Sequence, residues 1–386
     1  TMFATIPGTA SGPGTASDTA SGSGRVSGIA SAALAAVCHG AQSGYRFTEL
    51  HQYTVRCVLA MVALAMLSGC STIYRTTGWF AYDYTEDYAI PYTMKGNDPQ
   101  MACGLSTAMT PALLSFTELT YTPDRAAISM YMMAGSCAEE RAHEEALSYL
   151  RAFNAQNVSE AKDARIREKR QFAVAAQRQY QAYQHMVAEF GEPGGGCPAL
   201  DEDEELFWVL GSIAGMQSVM SDLRSQNSVN VPKDIAMKTV RGLQCVDNVR
   251  WWGLPDALQA GLWVMMPDTA PDGVDPWKQL AAASRLASAS GVRMAHAIEV
   301  VIADGSGNTR QLKDAIRRHA DSLQTVSPDP AYRMMDIMAD RQILAVSDRL
   351  WTEATGSRTP VGGLGTFWDD APPSTGGLDI DDLLGE

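Results

Sequence analysis

Between residues 97 and 355 apolar side chains recur at intervals of three and four, the period of a helix that buries one face. Phe172, Ala176, Tyr180, Tyr183, Val187 and Phe190 form one such stripe. Leu206, Leu210, Ile213, Met216, Met220 and Leu223 form a second, and Tyr332, Met335, Ala339, Ile343, Val346 and Leu350 a third. Period-two alternation between turn signals, the mark of half-buried strands, is missing. Start signals divide the pattern. Asn97-Asp98-Pro99 places a capping Asp before a Pro at the first helical position, and predicts a helix to Tyr121 with a bend near Pro111. Further helices are predicted from Pro123-Asp124 through Cys137, over 139–157, after Ser159, and after Pro232, Pro255, Pro276, Gly291, Thr309 and Pro330. The expected fold is all-α, an irregular tetratricopeptide-like array of stacked helical hairpins over 97–355, without a clean repeat of about 34 residues. Gly191-Glu-Pro-Gly-Gly-Gly-Cys-Pro198 interrupts the periodicity and sets an internal break near 191–200.

The ends of the chain have a different character. Arg56 precedes an apolar run that closes on Leu67-Ser68-Gly69-Cys70. The run is shorter than the roughly 18 residues a membrane span needs, so 55–69 reads as a signal peptide. Its last four residues look like a bacterial lipobox, which predicts lipid attachment at Cys70, and Ser71 after the Cys implies an outer-membrane destination. Residues 1–54 are a Gly/Ser/Thr/Ala tract without periodicity, expected to lie outside the native protein, with Val55 as the initiating position. Residues 70–96 are expected to be a linker, and 356–386 a disordered acidic tail.

With 386 residues the chain can bury a large core, and 30 Lys+Arg against 44 Asp+Glu gives a net charge of −14. That balance disfavours a nucleic-acid binder, whose affinity rests on clustered cations. Cys103, Cys137, Cys197 and Cys245 follow Cys70; four thiols in an exported chain suggest two disulfides with three possible connectivities. We favour Cys103 with Cys137 and Cys197 with Cys245, each joining neighbouring helices. No pair has the close spacing of a zinc site.

Chemistry is sparse. Glu140 and His143 stand at i and i+3, the spacing of helical di-iron sites, but the second such pair that chemistry requires is missing. A solvated helix face explains them better. His296 reads as a hydrogen-bonded core residue, and Asp201 to Glu205 as a negative first turn opposing a helix dipole. No Gly-x-Ser-x-Gly elbow or phosphate loop occurs, so neither an enzyme nor a bound cofactor is expected. Trp208, Trp251, Trp252 and Trp263 are candidates for an apolar groove that takes a ligand or partner, with one of the adjacent Trp251 and Trp252 exposed.

The lipobox Cys, the Asp-Pro helix start, and the segments Trp251-Trp-Gly-Leu-Pro-Asp-Ala-Leu, Asp275-Pro-Trp-Lys-Gln-Leu, Ala282 to His296 and Gln311 to Ile316 together resemble the T-component lipoproteins of TRAP transporters. The likeness spans most of Cys70 to about Ala354. It implies a helical, tetratricopeptide-related accessory protein on the periplasmic side of the outer membrane, docking a solute-binding protein and holding a small organic or lipophilic ligand. The alternatives are an envelope scaffold without ligand and a helical metalloprotein using Glu140 and His143.

Overall fold

The protein is described here by a computed structural model covering residues 55–59 and 72–370. The lipobox with Cys70, the tract 1–54, most of the predicted signal peptide and the tail 371–386 lie outside the described residues. The chain divides into two compact units, one up to Ile73 and one from Tyr74 onward.

Regular structure among the described residues is entirely helical, as the periodicity predicts. Helix α1 runs over 72–84 and continues through a π-helical turn at Thr85–Ala89 into Ile90–Met94. The π turn widens the helix just before Pro91, whose ring clashes with the carbonyl four residues back in a regular α-helix. The expected linker 70–96 is therefore a helix over most of its length, and it buries Tyr82, Ile90 and Met94. Helix α2 (Pro99–Leu114) is capped by Asp98, whose carboxylate accepts from the backbone N–H groups of Gln100 and Met101 at 3.0 Å. It gives way to a 3-10 turn at Ser115–Glu118, short of the predicted Tyr121.

Helix α3 (Asp124–Asn154) is one 31-residue element where the sequence suggested two. Nothing in Cys137 to Glu139 breaks a helix, and long neighbours bury the junction. Helix α4 (Val158–Phe190) starts two residues earlier than a cap at Ser159 implied, because Asn157 supplies the cap. The two form a long hairpin. Helix α5 (Glu202–Arg224) lies on α4 and touches α3; Gly211 permits that approach, since a Cβ there would lie 2.4 Å from Met186 Cβ. Its length and composition would suffice to cross a membrane, but most of it is buried inside the bundle. Asp201 and Glu204 make a capping box at its start. At its far end Met220 and Leu223, predicted for the core, are exposed.

Helices α6 (Ile235–Leu243), α7 (Leu254–Met265), α8 (Pro276–Ser290), α9 (Met294–Gly305), α10 (Thr309–Thr325) and α11 (Arg333–Thr355) complete the body. Short loops keep successive helices adjacent, but α11 returns to pack on α3, with lesser contacts to α1 and α2. A one-dimensional stack, in which each repeat touches only its neighbours, makes no such return. Arg341 reaches Glu140 and Arg358 reaches Glu144 across this closure. Residues 356–370 also depart from the disordered tail: Phe367 is buried, Lys313 pairs with Asp369, and Arg317 with Asp370.

Two disulfides staple the body. Cys103 of α2 joins Cys137 of α3 with Cα atoms 5.9 Å apart, and Cys197 of the Gly-rich break joins Cys245 just after α6 at 5.3 Å.

A buried polar knot holds the C-terminal half. Arg293, fully buried at the start of α9, donates from Nη1 to Asp336 Oδ2 at 2.7 Å and from its backbone N–H to Asp336 Oδ1 at 2.8 Å. Its Nε donates to Ser322 Oγ and its Nη2 to the carbonyls of Ser322 and Val326. Three helices, α9, α10 and α11, are thus tied through one guanidinium.

Candidate functional site

The face that α11 closes is where a recess forms. Pro99 and Cys103 of α2, Met133, Ser136, Cys137, Glu139, Glu140 and His143 of α3, Gln217 of α5, Met294 of α9 and Met338, Arg341, Gln342 and Ala345 of α11 surround about 80 Å³. That space admits a small polar group. A wider surface depression of about 430 Å³ shares Cys103, Cys137 and Glu140 with it and adds Gln100, Thr107, Arg141 and Glu144. The Cys103–Cys137 disulfide and Glu140 therefore border both spaces.

The inner wall is rich in acceptors. Glu139 accepts from Gln179 Nε2 at 3.1 Å, and burial raises its carboxyl above the usual range, against the opposing pull of Arg224. His143 Nε2 lies 4.0 Å from Glu139 Oε1 and meets Phe172 edge-on. Burial, together with the positive charges of Arg224 and Arg349, pushes the His143 imidazole down to about 3, so it is neutral near pH 7. Gln217 brings an Oε1 that has no hydrogen-bond partner. Three Met side chains supply adaptable apolar surface around these groups.

The i, i+3 pair at Glu140 and His143 thus sits at a cavity and not on a wholly solvated face, but its two members are turned apart. Glu140 pairs with Arg341 while His143 faces Glu139. Among the described residues no group of three or more His, Cys, Asp or Glu side chains is placed to hold a metal ion.

The four Trp candidates do not make a groove. Trp208, Trp251 and Trp252 are buried, and Trp263 is half-buried against a small cluster of Ala257, Ala260, Leu280 and Ala287. Trp208 Nε1 donates to the Gly242 carbonyl at 3.0 Å, and Trp251 Nε1 to Glu205 Oε2 at 2.8 Å. Both members of the adjacent pair face inward because the backbone turns left-handed at Trp252 (φ 57°) and Gly253 (φ 76°). Both rings pack on Tyr332, at 6.4 and 4.8 Å between centroids. Gly253 is required there twice over, since a Cβ would lie 2.7 Å from the Ala283 carbonyl oxygen.

His296 is a buried core residue, accepting from or donating to Ser288 Oγ at 2.9 Å, with its ring 5.4 Å from that of His319. Burial, then the neighbouring His319, lowers its pKa to about 3. The sign follows from linkage. Between pH of about 6.5 and about 3 the unfolded chain binds a proton that the folded one refuses, so stability is full above that window and drains as pH falls through it. His296→Gln is expected to reduce the loss of urea midpoint between pH 7 and pH 4.5; an unchanged loss would show that this imidazole takes no part in it. His143 shares the sign, so a residual slope is expected.

The residues that sequence reasoning missed here are Gln217, Met294 and Met338, which carry no local pattern and meet only through the closure by α11. No protein-family model, no curated protein and no solved structure matches this chain.

Proposed function

We propose that the chain is a non-enzymatic accessory lipoprotein of the outer membrane, tethered at Cys70 and facing the periplasm, which binds a small ligand and docks a periplasmic protein. The observation that carries the ligand reading is the recess beside Cys103–Cys137 and Glu140, whose lining is rich in acceptors. A small ligand end that donates hydrogen bonds fits that lining better than an anion, because Glu139, Gln217 and neutral His143 all offer acceptors. An imidazole held near 3 is a weak base at neutrality, which suits binding and not proton transfer. The partner reading rests on the lipobox and the resemblance to TRAP T-components; a TRAP-type solute-binding protein is the partner these imply. The acidic balance suits a partner surface of complementary charge.

Thermal unfolding with propylamine and with propionate as matched probes tests the ligand reading. Propylamine is expected to raise the melting temperature with increasing concentration, as a ligand of the native state must, and Gln217→Leu to weaken that rise. A rise with propionate alone, or with neither probe, would overturn the ligand reading and leave the scaffold alternative.

A further inference from the structure

The outward edge of α1 carries Phe80, Tyr84, Tyr88 and Tyr92, which are 71%, 51%, 66% and 82% exposed, with the exposed Trp79 beside them. The opposite edge is the buried one, through Gly78, Tyr82, Thr85, Ile90 and Met94. Phe80 stacks on Tyr84 at 6.4 Å between centroids and Tyr84 on Tyr88 at 5.9 Å. In a regular α-helix four-residue steps drift around the axis by about 40° each. The π turn at Thr85–Ala89, closed by the Ile90 N–H on the Thr85 carbonyl, has more residues per turn and offsets part of that drift. Rings four residues apart add only about 0.2–0.5 kcal/mol per pair to a helix in water.

We propose that this aromatic edge seats in the headgroup region of the lipid bilayer, so that the protein lies against its membrane along α1. The choice of a lipid occupant rests on the lipoprotein reading of Cys70, and three observations favour it. Cys70 precedes Tyr74 by four residues, a stretch that spans at most about 14 Å of fully extended chain. The rings are predominantly Tyr and Trp, flat apolar bodies with a polar tip, the side chains that favour a bilayer interface over its interior. Asp83, Glu86 and Asp87 share the helix with them, which excludes attraction to anionic headgroups as the driving force. A lipobox Cys already carries a diacylglyceryl group, so the rings set how the protein lies on the membrane and not whether it stays there.

The test uses the full chain, expressed in bacterial cells with its own leader, carrying the photoreactive p-benzoylphenylalanine either at Tyr88 or at Val158, an exposed position at the start of α4. Irradiation of intact membranes is expected to give a lipid-mass adduct at Tyr88 and none at Val158. A protein adduct at Tyr88, no adduct at Tyr88, or lipid adducts at both positions would each overturn the proposal. The mass of the N-terminal peptide, read on the same sample, judges the tether separately: an unacylated Cys70 with a lipid adduct at Tyr88 removes the tether and leaves the seat, and the reverse removes only the seat.

Discussion

Arg293→Met is expected to lower the stability of this protein by about 3–5 kcal/mol, the range for breaking a buried ion pair from one side. Asp336 would stay 2% exposed with its Oδ2 unpaired, and the carbonyls of Ser322 and Val326 would lose their donor. Desolvation disfavours the charged form of a stranded carboxylate, so protonation relieves the variant. The deficit in urea midpoint relative to the parent chain should therefore shrink on acidification. A variant as stable as the parent at pH 7 would show that the knot among α9, α10 and α11 is replaceable by packing. The double change Arg293→Met with Asp336→Leu is expected to recover part of the loss, since it removes the stranded charge but not the need of the Arg293 backbone N–H for an acceptor.

Replacing Cys197 and Cys245 together by Ser is expected to cost about 4 kcal/mol, the loop-closure entropy for a cross-link across several tens of residues. The sequence separation is 48, and the bridge ties the Gly-rich break at 191–200 to the end of α6. The Cys103–Cys137 bridge, with a separation of 34, has nearly the same entropic value because the dependence on loop length is logarithmic. The two should differ in what else they change. Loss of Cys197–Cys245 frees the break at 191–200 from α6, whereas loss of Cys103–Cys137 removes a wall of the recess. Guanidinium unfolding of each double variant, followed by the propylamine titration, separates the effects: both lose stability, and only the second is expected to lose the ligand response. Equal unfolding midpoints in parent and double variants would contradict the entropic argument.

Much of the fold was legible because helix starts are local chemistry. Asp98 before Pro99 names a cap that the structure uses, and helices open at Pro276 and Thr309, where starts were expected. The stripe at Phe172, Ala176 and Tyr183 was readable for the same reason: a helix buries every third or fourth residue whatever lies against it. Helix ends and exact core membership were less so, because neighbours decide them. Met220 and Leu223 continue the apolar spacing, but the last turns of α5 bury Val219, Ser221 and Asp222 instead. Trp251 and Trp252 misled in the other direction, since a left-handed turn lets consecutive side chains enter one core and the flanking Gly253 was its sole trace in sequence. The recess was legible only at Glu140 and His143. Its other walls come from α5, α9 and α11, as much as 200 residues further along, and a Met or Gln at such a position looks like any other.

The return of α11 onto α3 sets an order of events for the growing chain. Helices α3, α4 and α5 can associate as soon as they are made, for their contacts are short in sequence. The flank of α3 that bears Met133, Cys137 and Glu140 waits for residues 333–355, the last helix among the described residues. Until that helix arrives, a methionine-lined surface stays wet and adhesive on an otherwise folded core, the condition under which nascent chains cross-associate. A chain cut short before residue 333 would form its hairpins and leave that seam open, which makes α11 the element that seals the fold.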